Sequence, residues 1–212
     1  AYYLKLKPEN FPNIMRYKEY ANNVNSRSFR MMAYAVKGFT EIGLVDEARK
    51  IITAFKKPAN RSSLYAFAAA EMYLEGTDRT KADQLLDSAR AEAERIVNVQ
   101  GVQFNREVIA YALSLQDPEK NRGEIYRMIK NLPVKARPNS KVAMSFAFHN
   151  RLYEAYQVNS SLMPDEDRVA NYFMTLYGLQ LASPSAQNAW EQFRDGYLRL
   201  FTQTIEYDDE SS

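Results

Sequence analysis

The 212-residue chain contains no cysteine and a single histidine. The first absence excludes disulfides, thiolate metal sites and cysteine nucleophiles. The second excludes any metal site that needs two histidines, including the His-Glu-x-x-His arrangement. Glycine and proline are scarce, at 7 and 8 residues, and 46% of the chain is hydrophobic. Such a chain can bury a sizeable core and is not dominated by loops. No run approaches the 18 or so apolar residues of a membrane-spanning helix. The glycine-rich phosphate loops Gly-x-Gly-x-x-Gly and Gly-x-x-x-x-Gly-Lys-Ser/Thr are missing, as is the Gly-x-Ser-x-Gly nucleophile elbow. With 28 basic and 26 acidic residues the net charge is +2, so no global field recruits nucleic acid or an anionic membrane. The composition is compatible with the cytoplasm and with a bacterial periplasm, and selects neither.

What is present is helical periodicity. Ser26 to Ile42 carries Phe29, Met32, Val36 and Phe39 on one stripe and Met31, Ala35, Gly38 and Ile42 on another, as in a helix sandwiched between neighbours. Asp46 to Lys57 has one apolar stripe (Ala48, Ile51, Ile52, Phe55), with Asp46 as the expected N-cap and Pro58 just beyond its end. The alternation returns: Ser62 to Leu74 is apolar nearly all round, and Thr80 to Val97 is apolar on one side. Gly43-Leu44-Val45-Asp46 has a looser echo in Gly76-Thr77-Asp78-Arg79, and Ala48 to Ala82 is a step of 34 residues. That step predicts helical hairpins, each burying its inner helix only by stacking on the next.

Met32, Ala35, Val36, Phe39, Ala48 and Ile52, followed by Ala66, Ala69, Ala70, Tyr73, Ala82 and Leu86, resemble the tetratricopeptide-repeat pattern over residues 27–97. The resemblance implies an all-α fold of antiparallel hairpins stacked as a short α-solenoid with a C-terminal helical cap. It also implies a concave surface lined by the first helix of each hairpin, with Arg30, Lys37, Phe67 and Glu71 facing a protein or peptide partner. No cofactor and no catalysis are expected.

Later helices are expected at Asn105–Gln116, Asn121–Leu132, Ser140–Gln157, Asp165–Leu181 and Ser185–Ile205. The expected organisation is an N-terminal segment with a capping helix (1–25), hairpins (26–132) and an irregular loop (133–139). C-terminal helices packed on the same core (140–206) and an acidic tail (207–212) complete it. Between Lys120 and Lys141 seven basic residues face only Glu124. Arg127, Lys130, Lys135 and Arg137 are the candidate contacts of this patch for an acidic partner or a polyanion. A second reading is therefore an RNA- or polyanion-binding helical repeat; a third is an accessory domain of a larger enzyme or of a secretion or assembly complex. His149 reads as a structural or surface histidine, because no Ser or Asp stands at a spacing that would orient it. Tyr172, Phe173 and Tyr177 read as core.

Overall fold

The computed structural model describes residues 26–97, 99–130, 140–161, 165–183, 185, 187–196 and 198. The expected N-terminal capping helix, the 133–139 loop and the acidic tail lie outside them. Every regular element among the described residues is an α-helix. The chain divides into two compact units, one ending at Gln116 and the other beginning at Asp117. The division falls at the Asp117-Pro118 turn. The first unit holds α1 (Ser26–Glu41), α2 (Val45–Thr53), α3 (Pro58–Leu74), α4 (Arg79–Ala93) and α5 (Val99–Gln116). The second holds α6 (Arg122–Lys130), α7 (Ser140–Phe148), α8 (Leu152–Ser161), α9 (Asp165–Ala182) and a helical stretch over residues 187–196.

In the first unit α1 packs on α2 and α3, and α3 packs on α4 and α5. Each hairpin closes in the same way. Gly43 has φ +79° and Gly76 φ +63°, a region that costs a side chain strain and glycine nothing. Around Gly43 the Leu44 N–H donates to the Phe39 carbonyl (2.8 Å) and the Gly43 N–H to Thr40 (3.1 Å). Around Gly76 the Thr77 N–H donates to Met72 (3.1 Å) and the Gly76 N–H to Tyr73 (3.3 Å). These paired bonds satisfy the last free carbonyls of α1 and α3, so the two echoing segments are the same helix-stop motif.

The turn is tighter than the sequence suggests. Leu44 is the N-cap of α2 and has no side-chain cap bond; its carbonyl accepts from the Glu47 and Ala48 N–H groups. Asp46 therefore stands inside the first turn, where its charge complements the helix dipole, and is not the cap. In the next hairpin Asp78 is the cap, accepting from the Lys81 N–H. Helix α2 stops at Thr53 instead of reaching Lys57, because Pro58 is the first residue of α3 and holds Lys57 extended. The carbonyls of Phe55 and Lys56 accept from the Arg61 guanidinium (2.6 and 2.9 Å), which also pairs with Glu92 (2.7 Å).

Helix α3 runs through the middle of this unit, with Ala66, Ala68, Ala69 and Ala70 fully buried. Small side chains let its backbone approach three neighbours. Ala48 and Ala82, the paired positions of the 34-residue step, are both fully buried. Lys37 on α1 pairs with Glu71 on α3, 34 residues on. Between α3 and α5 the Ser63 hydroxyl donates to Asn105 Oδ1 (3.0 Å), 42 residues on. Helix α4 has 15 residues against 9 in α2, and α5 begins at Val99, six residues earlier than expected.

In the second unit α7 packs on α8 and α9, and α8 packs on α9. The single helix expected over 140–157 is two helices. His149-Asn150-Arg151 breaks it, with Asn150 at φ +58°, the Arg151 N–H donating to Phe146 and the Asn150 N–H to Ala147 (both 2.8 Å). This is the third copy of the helix-stop motif, with asparagine in glycine's place. Helices α7 and α9 meet backbone to side at Gly178, which lies against the Met144 carbonyl; a Cβ there would be 2.9 Å from the carbonyl carbon and 3.2 Å from Ala147 Cβ. Met144 and Gly178 are again 34 residues apart. Ile125, Ile129, Phe146 and Leu179 are fully buried in this unit.

Candidate functional site

The first-helix face of the N-terminal unit is built around Lys37. Its ammonium is shared by Glu71 on α3 and by Glu41 one turn further along α1 (3.6 Å). The carboxylates are nearly buried, at 8% and 10% side-chain exposure, whereas Lys37 retains 31%. Burial pulls the Lys37 pKa down, but hydrogen bonds to and attraction by Glu71 and Glu41 outweigh it and hold the group above the ordinary lysine value. Two carboxylates share one ammonium, so the cluster carries a net negative charge of one. Around it Ala33 on α1 and Phe67 and Leu74 on α3 are partly exposed, and Tyr34 is 67% exposed. The face thus combines a fixed ion pair with apolar and aromatic surface. Of the residues expected here, Lys37 and Glu71 come together, Phe67 lies one turn before Glu71 on the same helix, and the side chain of Arg30 lies outside the described residues.

Two residues beyond Glu71 on α3, a polar lock joins three helices. The Tyr73 hydroxyl donates to Asp83 Oδ1 (2.6 Å), which also accepts from Gln116 Nε2 (2.6 Å), and Arg79 donates to the Gln116 carbonyl (2.6 Å). Burial and the adjacent Asp83 carboxylate push the Tyr73 pKa far above the ordinary tyrosine value. The phenol therefore stays a hydrogen-bond donor and offers no base or nucleophile near neutral pH.

In the second unit the basic residues are brought to one short helix. Lys120, Arg122, Arg127 and Lys130 are exposed, while Ile125 and Ile129 are fully buried on the other side of α6. Lys135 and Arg137 lie outside the described residues. Arg151 holds two acids, Glu119 across the turn and Glu154 on its own helix (3.2 Å). The roles of Arg151 and Glu41 were legible only as three- and four-residue spacings to Glu154 and Lys37; nothing local marks which charges reach across helices.

His149 ends α7 half-buried, edge-on to Phe148 at 5.3 Å, and its N–H is bonded to the carbonyls of Ser145 and Phe146. Among the described residues no group of three His, Asp or Glu side chains is placed to hold a metal ion. The aromatic residues of α9 depart from expectation: Phe173 is 67% and Tyr177 49% exposed. The face of α9 that meets α7 is supplied by Thr175, Gly178 and Leu179, all buried, and the helical turn places Phe173 and Tyr177 off it. No described helix is long and apolar enough to cross a membrane. Compared with known proteins, the chain matches no family profile, no curated protein and no solved structure.

Proposed function

We propose that this chain is a non-catalytic scaffold that binds a protein or peptide on the surface formed by the first helices of stacked hairpins, in the manner of tetratricopeptide repeats. The observation that carries the reading is the Lys37–Glu71 ion pair. It joins α1 to α3 across 34 residues, the separation expected between equivalent positions of stacked first helices, and the packed residues Met144 and Gly178 are separated by the same number. A stack built on that step sets its first helices side by side and presents their outer turns as one surface. Lys37 and Glu71 fix the spacing of that surface, and Phe67, Ala33 and Tyr34 supply its contact area. Aromatic residues with a polar edge are the usual anchors of such surfaces.

A photo-crosslinking amino acid placed at Ala33 or Phe67, compared with exposed Asp87 on the second-helix side, tests the reading in native extract. Discrete protein adducts from the first two positions and none from the third are expected. Adducts of equal yield at all three, or only at position 87, would remove the first-helix surface from consideration.

A further inference from the structure

The exposed side of α6 forms a second surface, independent of the first-helix face. Four cations, Lys120, Arg122, Arg127 and Lys130, stand on or just before a helix of 9 residues, a length of about 13 Å at 1.5 Å per residue. Nearby acids are engaged: Glu119 and Glu154 pair with Arg151, and Asp117 accepts from the backbone N–H groups of Glu119 and Lys120 (3.1 and 3.0 Å). On α6 itself Glu124 and Arg127 have partners of their own, which leaves Lys120, Arg122 and Lys130 as the cations open to a ligand. An aromatic ring is fixed beside this helix by a relay. The Tyr126 hydroxyl donates to Gln157 Oε1 (3.2 Å), and Gln157 Nε2 donates to the Tyr153 hydroxyl (2.8 Å). Tyr153 on α8 is 52% exposed with its hydroxyl already bonded, so it presents an ordered ring to solvent.

We propose that α6 and Tyr153 dock an acidic peptide segment, its carboxylates on Arg122 and Lys130 and an aromatic or apolar side chain on the Tyr153 ring. Arginine and lysine recognise carboxylates through charge-assisted hydrogen bonds, and the tyrosine adds apolar area without further loss of side-chain freedom. About four residues of extended peptide, at roughly 3.3 Å each, cover the length of α6. Charge complementarity favours a peptide over a polynucleotide. The 120–141 segment carries +6 in a chain of net +2, so the remainder is net negative. A nucleic acid, with its unbroken row of phosphates, outruns a helix of about 13 Å, whereas a short acidic peptide ends within it.

Fluorescence anisotropy on the full chain decides the matter. The probes are a labelled octapeptide of aspartate and glutamate around one phenylalanine, and an oligouridylate of matching length. The octapeptide is expected to bind at about 50 mM salt and to weaken about tenfold by about 200 mM. The double variant Arg122→Glu/Lys130→Glu should weaken it by about tenfold or more, and Tyr153→Ala by several-fold, with circular dichroism unchanged. Phe67→Ala should leave it unaffected, separating this surface from the first-helix face. Three results overturn the proposal: no octapeptide binding at low salt, equal binding by the charge-reversed variant, or tighter binding of the oligouridylate, which would make α6 a nucleic-acid surface.

Discussion

Replacing Gly178 with alanine adds one methyl group at the place where α7 and α9 approach most closely. A Cβ built there lies 2.9 Å from the Met144 carbonyl carbon, closer still to its oxygen, and 3.2 Å from Ala147 Cβ. The obstacle is helix backbone, which cannot swing aside as a flexible side chain can, so α9 must shift bodily away from α7. Two effects compete. Alanine in a helix interior is favoured over glycine by about 1 kcal/mol, and overpacking a well-filled contact costs about 1–3 kcal/mol. Because the clash is with a carbonyl group on a helix whose neighbours Val142, Ala143 and Phe146 are fully buried, the upper part of that range applies, and the net expectation is a loss of about 1–2 kcal/mol. For a unit of this size that lowers the melting temperature by roughly 4–16 °C. Gly123 on α6 supplies the opposite control, since nothing lies within 4 Å of its added Cβ and its φ is not positive. Gly123→Ala should raise stability by about 0.5–1 kcal/mol. Denaturant melts followed by circular dichroism give both numbers. If Gly178→Ala is as stable as the parent, or both alanines shift stability the same way, the close approach of α7 and α9 is wrong.

Other substitutions probe the first unit and its turns. Ala48→Leu and Ala82→Leu enlarge fully buried side chains and should each cost about 1–3 kcal/mol, whereas Lys50→Leu and Asp87→Leu, both on exposed positions, should stay within about 0.5 kcal/mol in urea melts. Asp83 is unsuitable as a control because Tyr73 and Gln116 both bond to it. Asn150→Gly should be neutral or slightly stabilising and Asn150→Val destabilising by about 1 kcal/mol or more, since φ is +58°; equal stability of the two variants would remove the third helix-stop. Lys37, Tyr65, Tyr73 and Tyr126 all have raised pKa values. A raised group contributes stability that is complete below its unfolded value and is lost as pH rises through its folded value. Unfolding midpoints should therefore be steady up to about pH 10 and fall above it, and Tyr73→Phe should flatten that fall; a midpoint that rises above pH 10 would contradict the assignment.

The helices themselves were legible because their apolar stripes repeat every three to four residues, and the 34-residue step from Ala48 to Ala82 was legible because small residues mark close contacts. Two features were not. The break after Phe148 is hidden because the 146–152 segment contains neither glycine nor proline, and asparagine enters the left-handed region without announcing it. The exposure of Phe173 and Tyr177 escaped notice because aromatic spacing on a helix shows that residues share a face but not whether another helix covers it. At the site, the basic character of α6 was plain from composition, whereas the pairing of Lys37 with Glu71 depends on helices being side by side in a given register.

Whether α1 and α3 lie in that register is decided by a double-mutant cycle on Lys37 and Glu71. Lys37→Met and Glu71→Gln, singly and together, are compared by urea unfolding at neutral pH. Because Lys37 is about one-third exposed, solvent screening reduces the value of the pair below that of a fully buried one, and the expected coupling is about 1 kcal/mol. Single-variant effects that add to within about 0.3 kcal/mol would mean that the two side chains do not meet, and the stacking of first helices at a 34-residue step would fall with them.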